Sequence, residues 1–307
     1  MKAKQLLKDI YLRCKFYKLH GSSNLNKKSI VFLMDDDYHK SHPGLVDRFK
    51  AIIGLYYLAL QNERDFYLCY NTPFKLQKYL VPNEVDWQIE RSDLCKNIFT
   101  TGLLNYDVKR GIPRLRNNLS EYHCYYYLGH NLIRELKPEN WKKEWHDLFG
   151  QLFKPSDYLE KLLKENVPGF DYISVHFRFV NSLDKFEDGV NNQLSEAEQV
   201  ELIEKCLKQL EEIQRNNALP ICVFSDSSRF LKIVKDKGYY ILNNAEQIGH
   251  ISFSGSDETY DKTFIDFFAI ANSKKVYAIR GKSLYNSVYP EYAAVVGGVE
   301  FEIHQIN

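Results

Sequence analysis

The sequence predicts an α/β protein made of two parallel-sheet domains. Three observations carry that prediction: short apolar runs alternate with stretches of helical period from Asp171 onward, the preceding part repeats the theme more loosely, and Asn166-Val-Pro-Gly169 breaks the chain between them. Repeated strand–helix units imply parallel strands joined by right-handed crossovers. A length of 307 residues fits two domains of ordinary size. The predicted domains are 1–165 and 166–307, facing each other across a cleft.

In the first domain the predicted strand Ser29 to Leu33 leads through a polar loop to Gly44-Leu-Val-Asp-Arg48, which opens a helix rich in Ile, Leu and Tyr running to about Gln61. Strand Phe66 to Tyr70 follows. From Glu90 to Gly150 the pattern is mixed, and the aromatic cluster His123-Cys-Tyr-Tyr-Tyr127 suits either a core or a pocket. A helix from Ser156 to Lys164 reads as the hinge. In the second domain the order is strand Tyr172 to Phe177, a helix opened by the capping box Ser195-Glu-Ala-Glu198, strand Ile221 to Ser225, helix Ser228 to Lys235 and strand Tyr239 to Leu242. Helix Thr263 to Ala271, strand Lys275 to Ile279 and a helix near Ser287 to Val295 complete it.

Composition removes several functions. Lys plus Arg is 41 against 40 Asp plus Glu, so the chain has no charge bias suited to wrapping nucleic acid. Six scattered cysteines lack the close pairs of zinc or redox sites and read as reduced thiols of a cytoplasmic protein. No apolar run approaches the roughly 20 residues of a membrane span. The first eighteen residues are lopsided, with Lys2, Lys4, Lys8, Arg13, Lys15 and Lys18 against Asp9 alone. A packed terminal helix with a solvated face is the preferred reading; a basic amphipathic helix in peripheral contact with an anionic membrane is the alternative.

Ligands of parallel sheets bind beyond the carboxyl ends of strands, and three blocks fall there. Tyr172-Ile-Ser-Val-His-Phe-Arg178 delivers His176 and Arg178 to one face of a strand end, a cationic fork that reads as an anion site or as an arginine paired at a sheet edge. In Val223-Phe-Ser-Asp-Ser-Ser228, Asp226 or Ser227 reads as a helix cap, or Asp226 as a carboxylate receiving paired N–H donors. The third block runs from Thr263 through Asp266 and Gly281-Lys282-Ser283 to Ser287, with small hydroxyls near a helix start, as in a phosphate cradle. It lacks the earlier glycine of a Walker loop.

Taken in order, these blocks resemble the GT-B fucosyltransferases, the group of core α-1,6 enzymes, nodulation-factor enzymes and protein O-fucosyltransferases. The likeness lies in His-x-Arg at a strand end, Ser225-Asp226 followed by Phe230-Leu-Lys, Asp266-x-Phe before a strand and a serine-bearing turn, and the Gly44 to Arg48 turn. Phe179 stands where many relatives have a second arginine, and Ser-Leu-Tyr-Asn where they have paired serines. The resemblance implies a GT-B fold of two Rossmann-like domains. It also implies inverting, metal-independent transfer of fucose from GDP-fucose to a glycan acceptor, in surface or capsular polysaccharide synthesis and without a cofactor. Arg178 would hold the diphosphate, Asp226 with Ser225 the guanine, and Ser283 or Ser287 the phosphates, while Asp266, Gly44 and Arg48 would complete the donor site. His176 would position the nucleotide. The base would be Glu187, with Asp184, Asp188 and Asp47 as rivals. A metal-dependent GT-A enzyme is the competing reading, resting on Asp35 and Asp37 in the triplet Asp35-Asp-Asp37. A nucleotide- or glycan-binding protein without turnover is another.

Overall fold

A computed structural model describes residues 7, 10–11, 13–19, 25, 28–35, 44–104, 122–125, 131–184, 194–243 and 256–306. The chain divides into two compact units, Met1–Lys154 and Pro155–Asn307.

The first unit holds β1 (Ser29–Met34), α1 (Leu45–Gln61), β2 (Asp65–Tyr70), β3 (Leu80–Pro82), β4 (Thr101–Leu104), β5 (Tyr122–Tyr125), α2 (Leu132–Leu136) and α3 (Trp141–Leu152). Its main sheet is parallel with order β2-β1-β5-β4. β1 is buried at every position, as expected of a central strand covered on both faces. Helix α1 is buried almost all round because α2, α3 and the sheet pack around it, so its apolar residues are not confined to one stripe. Trp87 locks the far side, its Nε1–H donating to the Leu152 carbonyl at 2.7 Å.

The boundary strand β6 (Phe153–Pro155) leads to α4 (Asp157–Asn166). The sequence places the boundary at 165 and reads this helix as a hinge. Instead α4 packs on a helix of the second unit, and the Tyr158 hydroxyl donates to Asp261 at 2.7 Å. The amphipathic helix buries its stripe, which draws it into the second unit eleven residues before the Pro-Gly break.

The second unit continues with β7 (Ile173–Phe177), α5 (Glu196–Arg215), β8 (Ile221–Ser225), α6 (Ser228–Asp236), α7 (Asp257–Ala271), β9 (Lys275–Gly281), α8 (Tyr289–Gly297) and β10 (Glu300–Ile306). Its sheet is parallel throughout, in the order β10-β9-β7-β8. β8 lies on one side of β7 and β9 on the other, so the strand order reverses at β7. Ser195 and Glu198 cap α5 reciprocally, as their spacing predicts. Segment Tyr239 to Leu242 is not a strand; it makes a single bridge, Cys222 to Tyr240, after the left-handed Gly238. β10 escapes a sequence reading because Glu300, Glu302 and His304 interrupt its apolar pattern. Those charges suit an edge strand, and Lys275 pairs with both glutamates at 3.2 and 2.7 Å. Gly297 lets α8 close on α7, since a Cβ there would lie 1.9 Å from the Ala271 carbonyl oxygen.

No described helix is long and apolar enough to cross a membrane. The five cysteines with described side chains are unpaired.

Candidate functional site

The turnaround in strand order makes the carboxyl end of β7 the topological switch point of the second unit, where doubly wound sheets bind ligands. Alternation sorts the β7 side chains. Ile173, Val175 and Phe177 enter an apolar core with α5 and α6. His176 faces the other side, its ring 5.9 Å from that of Tyr289 at the start of α8.

Arg178 follows β7 directly, with 20% of its side chain exposed, and its Nε lies 3.3 Å from Oδ2 of Asp226. Asp226 is buried at the tip of β8. Its Oδ1 accepts the Phe179 N–H at 2.7 Å and its Oδ2 the Val180 N–H at 2.8 Å. Burial pushes its carboxyl upward, opposed by Arg178 and these two donors. Val180 has φ +54°, a conformation that a β-branched residue adopts only under constraint, and the carboxylate supplies that constraint. Asp226 therefore clamps the loop that carries Arg178. Both oxygens accept from the loop, so the guanine role expected of Asp226 would use the lone pairs that remain. The helix cap belongs to Ser227, whose Oγ accepts the Phe230 N–H at 3.1 Å. Ser225 Oγ in turn accepts the Ser227 N–H.

Under the His176 face lies a buried polar group that spacing alone did not single out. Lys262 and Asp266, one helical turn apart on α7, pair at 2.7 Å through Oδ2, while Oδ1 of Asp266 is buried without a partner. Burial raises the Asp266 carboxyl and Lys262 opposes the rise. Burial also pushes the His176 imidazole down to about 3, helped by Arg178 and Lys262, so His176 is neutral at physiological pH. Tyr289 donates its hydroxyl to the Thr263 carbonyl at 2.5 Å. The sequence singles out Asp266 of this pair but not Lys262, four residues before it on the same helix face, and Tyr289 carried no signal.

The turn after β9 is laced to the Arg178 loop. Ser182 Oγ donates to the Ser283 carbonyl at 2.9 Å and the Tyr285 N–H to the Arg178 carbonyl at 2.8 Å. Ser287 Oγ accepts the Tyr289 N–H at 3.2 Å, two residues ahead of where the helix begins. The Gly281-Lys-Ser283 glycine serves packing: a Cβ on Gly281 would meet Ile306 at 2.8 Å.

The remaining predicted residues fall elsewhere. Asp184 is spent on the start of α6, accepting the Arg229 N–H at 3.3 Å. Glu187 and Asp188 lie outside the described residues. In the first unit Gly44 caps α1, and Asp47 is half-exposed and pairs with Lys50 at 2.9 Å. Arg48 is 1% exposed, donates to the Tyr70 hydroxyl at 2.5 Å and lies over the Tyr70 and Phe74 rings, so it is a core residue of that unit. Asp35 is buried with Arg91 at 3.4 Å, and Asp37 lies outside the described residues. Among the described residues no cluster of His, Cys, Asp or Glu has the arrangement of a metal site. The first unit also contains a polar cavity of about 420 Å³ beyond β2, lined by Asn71, Gln77, Gln88, Glu90 and Asp93 among others; Gln77 Oε1 is buried there without a partner.

No protein-family model matches the sequence, and no curated protein matches it. Solved structures do. NodZ α-1,6-fucosyltransferase soaked with GDP-fucose matches with TM-score 0.54 at 11% identity, over 88% of this chain and 93% of that one. The same enzyme co-crystallised with GDP gives 0.52 at 13% identity, over 88% and 92%. Selenomethionine NodZ from Bradyrhizobium gives 0.52 at 12% identity, over 88% and 92%. The chain thus shares the fold of an α-1,6-fucosyltransferase along most of both lengths, as the ordered motifs suggested.

Proposed function

We propose that this chain is an inverting, metal-independent glycosyltransferase that moves fucose from GDP-fucose to a glycan acceptor of surface or capsular polysaccharide. The observation that carries the reading is Arg178, a part-exposed guanidinium at the switch-point strand end, held in place by a buried carboxylate. As the bond from the anomeric carbon to the diphosphate breaks, negative charge grows on the departing GDP. A fixed cation stabilises that charge without proton transfer. The donors at the start of α8 and the hydroxyls of Ser283 and Ser287 suit the same phosphates.

The guanine role passes from Asp226 to Asp266. A guanine edge offers paired N–H donors, and the unpartnered Asp266 oxygen is the acceptor in need of one. Neutral His176 beside it positions the nucleotide by hydrogen bonding and does not serve as base. That task stays with Glu187, which would take the acceptor hydroxyl proton as the new bond forms. The polar cavity of the first unit, within the roughly 300–1,000 Å³ of small-ligand sites, suits the hydroxyls of an acceptor sugar.

The test is GDP release from GDP-fucose in the presence of an acceptor-glycan panel, with and without EDTA. Turnover insensitive to EDTA supports the reading. Tight GDP binding without turnover on any acceptor would replace it with a non-catalytic nucleotide-binding protein, and EDTA inhibition would revive the Asp35 and Asp37 metal site.

A further inference from the structure

The described helical residues from 7 to 15 are exposed, the apolar ones included. Leu7, Ile10, Tyr11 and Cys14 recur at i, i+3, i+4 and i+7, a single stripe of a helix, and all four are exposed. Of the apolar residues expected to pack, Phe16 is buried, Leu7 and Ile10 are exposed, and Leu6 and Leu12 lie outside the described residues. The segment is anchored at its end, where Phe16 is buried against Val31, Leu33 and Leu103. Tyr17 adds a hydroxyl that accepts the Leu103 N–H at 2.7 Å.

A second exposed apolar group lies just past the end of that helix. The Lys18 N–H donates to the Lys96 carbonyl at 2.8 Å, and the Ile98 N–H donates to the Lys18 carbonyl at 3.1 Å. This pairing sets Ile98 and Phe99 beside Lys18 and Leu19, with Phe99 79% exposed and Leu19 68%. Scattered exposed hydrophobic residues are normal; a cluster contributed by two segments is not. Arg13, Lys15, Lys18 and Lys96 belong to the same segments, against Asp9 in the first and Asp93 in the second.

We propose that this face docks on an anionic lipid bilayer, its apolar residues entering the headgroup–acyl boundary and its cations meeting acidic headgroups. Apolar area combined with basic charge is the requirement for interfacial binding. A second copy of the chain fits less well, because a two-fold interface would set these cations against their own copies.

Co-sedimentation of the full chain with vesicles tests the proposal, using phosphatidylcholine alone and phosphatidylcholine with about 30% phosphatidylglycerol. The expected result is at least tenfold stronger partition onto the anionic vesicles, released by about 0.5 M NaCl, where charges are screened within a few ångströms. The double substitution Tyr11→Ser/Phe99→Ser should lower that partition at least tenfold, and Lys18→Gln about fivefold, roughly 1 kcal/mol per cation. All three positions are exposed, so unchanged thermal unfolding will show that the fold survives. Failure to bind anionic vesicles, equal binding to both vesicle types, or a Phe99→Ser-sensitive dimer in light scattering would each overturn it.

Discussion

Each unit has an arginine close to the carboxyl end of a core strand, and the two are treated in opposite ways. Arg48 is sealed in the first unit under Tyr70 and Phe74, with its guanidinium spent on a hydroxyl and two aromatic faces. Arg178 in the second unit keeps a fifth of its side chain exposed and leans on Asp226, which also fixes the loop behind it. A buried cation with aromatic partners is part of a core; a part-exposed cation on a clamped loop is poised for a ligand. In the proposed reading the same residue type at comparable places supports stability in one unit and recognition in the other. Exposure and the nature of the partner separate the two roles where residue identity does not.

Substitutions can break this contrast. The largest effect is expected for Arg178→Ala, a loss of about a thousandfold in kcat for transfer from GDP-fucose, at the upper end of what one electrostatic donor supplies. The fold should survive with a lower unfolding temperature, because buried Asp226 loses its cation; retained turnover would remove Arg178 from the mechanism. Arg48→Ala should do the reverse, costing about 3 kcal/mol of stability through an empty site in the core, with GDP affinity unchanged in the molecules that remain folded. Urea denaturation and calorimetry measure the two halves.

Asp226→Asn sharpens the comparison, because it keeps the shape but cannot accept on both sides of the Phe179–Val180 turn. It should weaken GDP binding by tenfold or more through misplacement of Arg178, and lower stability by about 1–3 kcal/mol. Loss of stability with full GDP affinity would make Asp226 a purely structural residue.

The smallest effect concerns pH. His176 titrates at about 3 in the folded chain and near 6.5 when unfolded. Below 6.5 the unfolded chain gains a proton that the native state excludes, so stability is lost as pH falls from about 6.5 toward 3. Between pH 7 and 5 the urea midpoint should fall less in His176→Asn than in the parent, by up to about 1.4 kcal/mol per pH unit. The difference between the two proteins cancels Asp226 and Asp266, whose raised values act with the opposite sign.

The alternation of strand and helix was legible, and so was the delivery of His176 and Arg178 to one strand end, because both rest on periodicity. The Ser195–Glu198 cap was legible for the same reason. The work of Asp226 was not, because its partners are main-chain N–H groups of a turn that exists only through the left-handed Val180. Nor could spacing distinguish Arg48 from Arg178, since burial is decided by neighbours remote in sequence. The segment at residues 7–14 reads as amphipathic in the sequence; the exposure of Leu7, Ile10, Tyr11 and Cys14 is not legible there.

The central claim is that Arg178 is the diphosphate ligand of the second unit. Isothermal titration of the parent and of Arg178→Ala with GDP and with guanosine tests it most directly. The account predicts that the parent binds GDP at least a hundredfold more tightly than guanosine, and that Arg178→Ala loses most of this preference while binding guanosine as before. An undiminished preference for GDP in the variant would contradict it.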